Sequence, residues 1–170
     1  MMFRVYFLGL ITFLVILIVS SVHAGPLHNA AVNGDIAQAK RLIAQGADVN
    51  DRISDGTTPL HWVAWGGAMS TRRGHKAVAE LLIAHGADVN AKDMVDSTPL
   101  HFASFNGRTA IAKLLIAHGA NINAKRNDGA TPLNVAKAQR HNNIVYLLKQ
   151  HGGVEDPSVN AGEKIPHNWR

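Results

Sequence analysis

Residues 98–101 read Thr-Pro-Leu-His, and the same arrangement stands at 58–61. A hydroxyl followed three residues later by an imidazole supplies the ingredients of nucleophilic catalysis, in which a base withdraws the proton of the attacking oxygen. Four features oppose that chemistry here. The pairing recurs along the chain, whereas an active site is single. No carboxylate at a fixed spacing stands ready to orient His101. Proline directly after Thr98 suits the start of a helix, with threonine as N-cap, and there is no Gly-x-Ser-x-Gly elbow. At 131–134 the histidine is replaced by Asn134. The pair is therefore expected to be a structural fastening.

The ten histidines also raise metal binding. His28, His61 and His101 would form one row, and His85, His118 and His151 another. Neighbouring helices lie ~8–10 Å apart. Nitrogens sharing one ion, each at ~2.1 Å from it, must sit far closer to one another. A row spaced by helix packing cannot form one coordination shell, and no His-x-x-x-His or His-Glu-x-x-His occurs. His85, His118 and His151 precede glycines, where a partial positive charge suits a helix C-terminus. No cofactor or metal site is assigned. A histidine-based metal-handling protein or enzyme is the rival reading.

The elements that carry these residues follow from a repeat. Thr58 lies 33 residues after Gly25 of "GPLH", and Thr131 lies 33 after Thr98. Thr58 and Thr98 are 40 apart, so the second unit carries seven extra residues, "GAMSTRR" at 67–73. The segments "RLIAQGADVN" at 41–50, "LLIAHGADVN" at 81–90 and "LLIAHGANIN" at 114–123 are near copies, and "LLKQHGG" at 147–153 is a truncated last one. Threonine before proline marks a first helix in each unit, near 26–33, 59–66, 99–106 and 132–139. A second follows near 36–44, 76–84, 109–117 and 144–150, with Asp35 as a cap for the first of these. Gly46, Gly86, Gly119 and Gly152 sit where a left-handed residue ends such a helix. One such hairpin cannot bury its apolar side alone, so the units must stack.

The chain resembles the ankyrin repeat family in its period, in Thr-Pro-Leu-His, and in Gly-Ala-Asp-Val-Asn. The resemblance covers residues 25–153 as four units, approximately 25–57, 58–97, 98–130 and 131–153. It implies an all-α ankyrin-repeat solenoid of helix-turn-helix units with β-turn or hairpin tips. It also implies a non-catalytic module that binds a partner protein through its concave face. Asp96 departs from the pattern, since the equivalent positions hold Gly56 and Gly129. Residues 154–170 are expected to be a loose C-terminal tail in which Trp169 can still dock.

In that family the tips and the open side of the first helices are left free to bind. Carried onto this chain, the tips supply Arg52, Ile53, Asp55, Asp93, Met94 and Val95. The helices supply Trp65 and Phe105, at equivalent positions of adjacent units. The expected interface is an aromatic and apolar spot (Trp65, Phe105, Met94, Val95) with a charged rim (Arg52, Asp55, Asp93), the anatomy of a binding hot spot. Arg72 and Arg73, in the inserted loop, are candidates for an acidic partner. Trp62 is assigned to the core.

Residues 1–24 carry Arg4, an apolar run from Val5 to Val19, and Val22-His23-Ala24 before Gly25. A run of this length falls short of the ~20 residues that span a bilayer. It fits a signal peptide cut before Gly25. Export to the periplasm or beyond is expected; a membrane-tethered adaptor follows if the segment is retained. Net charge is +5, and Arg4 is the leader's only charged residue, so its removal leaves +4. Lysine and arginine are scattered, with no basic stripe for a phosphate backbone, so nucleic acid is not an expected partner. The chain has no cysteine, which excludes thiol chemistry and disulfides. A monomer with a protein partner of unknown identity is the resulting expectation.

Overall fold

The computed structural model describes residues 25–66 and 72–159, with side chains from 25–66 and 75–159. The expected signal segment at 1–24, most of the insertion, and Trp169 lie outside the described residues. Eight helices run through the described residues. They are α1 (Pro26–Asn33), α2 (Ile36–Ala44), α3 (Pro59–Trp65), α4 (Arg72–Ala84), α5 (Pro99–Phe105), α6 (Thr109–Ala117), α7 (Pro132–Ala138) and α8 (Asn142–Gln150).

The helices pair in sequence order, α1 with α2 through α7 with α8. The first members α1, α3, α5 and α7 stack on one another as one layer, and α2, α4, α6 and α8 as a second. Leu60, Leu100 and Leu133 are buried in the first layer, and Leu82, Leu115 and Leu148 in the second. Between them Ala39, Ala79 and Ala112 are fully buried. Their small side chains let the layers approach closely, and the leucines fill the remaining space at the density of a protein interior.

Each first-layer helix begins as its residues dictate. Thr58, Thr98 and Thr131 hold extended backbone at the N-cap, and proline follows at the first helical position. Asp35 caps α2, accepting from the Gln38 N–H at 2.9 Å. The tips between units close as tight turns: the Gly56 N–H reaches the Ile53 carbonyl at 2.8 Å, and Gly129 reaches Arg126 at 2.9 Å. Adjacent tips are tied by Met94 N–H to Asp55 O at 3.0 Å and Asn127 N–H to Val95 O at 3.1 Å.

Three expectations need correction. First, α4 begins at Arg72, four residues before its expected start, so Arg72 and Arg73 belong to a helix rather than a loop. Gly74, at the position where Gly34 and Gly107 are left-handed turn residues, lies inside that helix. Second, α8 begins at Asn142 rather than at 144. Third, residues 154–159 are pinned rather than loose. Lys125 and Lys137 pair with Asp156 and Glu155, each at 2.7 Å, and Val154 N–H reaches Asn123 Oδ1 at 2.8 Å. The lysine contact holds the Asp156 carboxyl well below the usual carboxylate range.

Candidate functional site

The Thr-Pro-Leu-His residues are bolts. His61 Nδ1 accepts from the Thr58 backbone N–H at 3.1 Å and lies 2.9 Å from its hydroxyl, while Nε2 meets the Ser97 carbonyl of the next unit at 3.1 Å. His101 repeats this with Thr98 at 3.1 and 3.0 Å and with the Ala130 carbonyl at 3.1 Å. An Nδ1 that accepts from an amide carries no proton, so the proton sits on Nε2 and is donated to the next unit. Burial pushes His61 down to about 4 and His101 down to about 3, and the bonds to the carbonyls only partly oppose this. Both rings are completely shielded from solvent. Neither can meet a substrate. Among the described residues, no group of histidine and carboxylate side chains has the geometry to hold a metal ion.

Departures from the motif keep its logic. Asn134 Oδ1 accepts from Thr131 N–H at 3.2 Å and Thr131 Oγ1 at 2.8 Å, and Asn134 Nδ2 donates to the Asp156 carbonyl at 3.1 Å. The carboxamide thus reproduces both functions of the imidazole, with the pinned tail standing in for a next unit. At the other end Gly25 offers no hydroxyl. His28 Nε2 still meets Thr57 O at 3.2 Å, but its buried Nδ1 has no hydrogen-bond partner and stands 3.9 Å from Asp51.

Two further ladders join the units. Asn50, Asn90 and Asn123 each donate to the carbonyl of a helix-ending glycine in the following unit, Gly86, Gly119 and Gly152, at 2.9–3.1 Å. Each also accepts from a backbone N–H there, at 2.7–2.8 Å. His75 and His141 meet the carbonyls of Val32 and Phe105 at 2.9 and 3.0 Å. The asparagines close each Gly-Ala-Asp-Val-Asn copy or its variant, a pattern that does not by itself reveal this role. Their recurrence at one position of each copy was the available signal.

One opening that the ladders leave is a groove of about 190 Å³ between the tips and the first-layer helices. Trp62, Trp65 and Phe102 line it, with Asp55 from one tip and Asp93 from the next. A chain of hydrogen bonds sets its geometry. Trp62 Nε1–H donates to Thr57 Oγ1 at 2.8 Å, and that hydroxyl donates to Asp55 Oδ1 at 2.6 Å. The Thr57 N–H reaches the same oxygen at 2.8 Å. Asp93 Oδ1 accepts from the Val95 and Ser97 amides at 2.9 and 2.8 Å. Burial raises the Asp93 pKa, and the nearby Asp55 charge adds to this; the two amides and Arg126 pull the other way.

The structure brings together some of the anticipated residues and not others. Trp65, Asp55 and Asp93 line the groove. Phe105 does not, and stacks on Trp65 instead, with centroids 5.8 Å apart and planes 10° from parallel. Met94, 74% exposed, and Val95 lie on the tip outside the groove, as do Ile53 and Arg52. Arg52 reaches across to the Lys92 carbonyl. Trp62, assigned to the core, is only partly buried and forms a wall of the groove. Its N–H demands a polar partner, and Thr57, five residues earlier, supplies it at the groove's edge.

A family model described as ankyrin repeats (3 copies) matches the chain over residues 2–93 and again over 68–161.

Proposed function

The chain belongs to the ankyrin repeat family, whose members are protein–protein interaction modules, and on that premise we propose that it is an exported, non-catalytic module that binds a partner protein through the tip-and-helix face around Trp65. We propose four units at 25–57, 58–97, 98–130 and 131–153, an insertion at 67–73, and a signal peptide at 1–24 removed before Gly25.

The observation that carries the binding reading is the preorganised groove. Trp62, Thr57 and Asp55 are joined by hydrogen bonds, and Asp93 is held by two amides. Side chains already fixed lose little freedom on binding, which leaves more of the contact energy as affinity. The recurrent histidines and asparagines are consumed in holding the stack, so the residues peculiar to each tip are the ones left to choose a partner. Export is supported by the short charged start, the apolar run and the small residues before Gly25.

The test of the face is site-specific photo-crosslinking in cells of origin from position 94, beside the groove, and from position 146, on α8. Crosslinks to one protein from 94 and none from 146 are expected. Crosslinks from 146 alone would place the interface elsewhere. Mass spectrometry of the N-terminus tests export: a chain starting at Gly25 is expected, and one starting at Met1 would instead favour a membrane-tethered adaptor.

A further inference from the structure

We propose that the groove between Asp55 and Asp93 receives a cationic side chain of the partner, lysine or arginine, its charge between the two carboxylates and its aliphatic stem along Trp62. This rests on the reading of the face as the binding site and specifies its chemistry.

Two carboxylates from adjacent tips line one small hollow. Like charges placed together disfavour each other unless a cation lies between them. Among the described residues, every hydrogen bond to the Asp55 and Asp93 side chains engages Oδ1. Among the described residues the Oδ2 of each has no hydrogen-bond partner, although Asp93 is only 7% exposed. Of the chain's own tip cations, Arg126 pairs with Asp128 at 2.9 Å while its charge also favours the ionised Asp93, and Arg52 reaches the Lys92 carbonyl. An ammonium or guanidinium group would satisfy both Oδ2 atoms through charge-assisted hydrogen bonds.

The walls suit the same guest. Trp62, Trp65 and Phe102 present aromatic surface, and a cation is drawn to the faces of such rings. A long basic side chain buries its methylene stem on apolar surface while its charged head seeks polar partners. A groove of about 190 Å³ admits one such side chain and not a folded element. An acidic side chain would meet two carboxylates, and an aliphatic one would leave both Oδ2 atoms unsatisfied.

The experiment uses the full chain as the cell produces it, at low ionic strength. It follows the indole N–H resonances of Trp62 and Trp65 during titration with n-butylammonium, n-butylguanidinium, n-butanol and butyrate. Saturable shifts from the two cations, and none from the alcohol or the anion, are expected. Asp55→Asn and Asp93→Asn should each weaken the cations by about tenfold, the loss of one charge-assisted contact. Asp93→Asn keeps its Oδ1 acceptor for the two amides, and Asp55 is exposed, so both variants should fold. Equal shifts from butanol would reduce the groove to an apolar slot and overturn the proposal, as would cation affinity unchanged in both variants. If neither cation binds while crosslinking from position 94 still captures a partner, the cation site falls and the face stands. If both experiments fail, the face falls with it.

Discussion

Trp65 and Phe105 lie face to face, ring centroids 5.8 Å apart, although 40 residues separate them in the chain. They close the space between two adjacent units, and Trp65 also meets Phe102 edge-on at 6.1 Å. Both are half-buried and pack against the core, so they hold the stack as well as facing outward. Single Trp65→Ala and Phe105→Ala changes should each lower stability measurably. In a double-mutant cycle their coupling should be about 1 kcal/mol. Strictly additive losses in urea unfolding would mean that the rings act independently.

The histidine bolts predict the acid response. His61 and His101 are neutral in the fold and stay so down to about 4 and about 3. In the unfolded chain their imidazoles take up protons below about 6.5. Between those values the unfolded state binds more protons, so stability is flat above pH 6.5 and falls as pH drops toward 5. The slope should be on the order of 1 kcal/mol per pH unit for each histidine. His101→Asn should flatten it by one histidine's share. Melting temperatures that stay level from pH 7 to 5 would contradict the bolts as described.

The backbone predicts two stabilising changes. Asp96 and Arg140 hold left-handed φ angles of 61° and 59°, where other units place Gly56, Gly129, Gly34 and Gly107. A Cβ in that conformation crowds the following carbonyl. Arg140→Gly should raise stability by about 0.5–1 kcal/mol. Asp96→Gly should give less, because aspartate tolerates this conformation better and because Asp96 pairs with Lys92 at 3.5 Å. Thermal melts of the two variants decide the ranking, and a lower melting temperature for Arg140→Gly would refute it.

The asparagine ladder predicts a loss from an exposed position. Asn90 bridges the Gly119 carbonyl at 3.1 Å and the Asn121 N–H at 2.7 Å. Asn90→Ala removes both and should cost about 1–2 kcal/mol. Hydrogen exchange should then quicken at the Asn121 amide. A neutral result in urea unfolding would show that water replaces the bridge without cost.

Most of the helices were legible because threonine, proline and glycine mark their ends by backbone geometry, which sequence carries directly. The start of α4 was not. Position 74 holds a glycine, as positions 34 and 107 do, and whether that glycine turns or continues a helix depends on the segment before it. The groove was legible in part. Trp65, Asp55 and Asp93 stand at positions that the repeat leaves open. Trp62 packs against the core as expected, but a repeat's register does not show that its indole will also seek Thr57 and line the groove. The pinned tail was invisible for a similar reason: Asn134 needs a backbone to donate to, and nothing in "VEDPSV" signals that it takes the place of another unit.

Under the proposed function, partner choice resides in the tip-and-helix face and not in the recurrent motif. Photo-crosslinking from position 94 measures this most directly, run in parallel on the unaltered chain and on His101→Asn, which keeps the bolt's hydrogen-bonding pattern. The same single crosslinked protein is expected in both, lost when Asp55 and Asp93 are both changed to Asn. Crosslinking that survives the double change but disappears with His101→Asn, in a chain that remains folded, would contradict it.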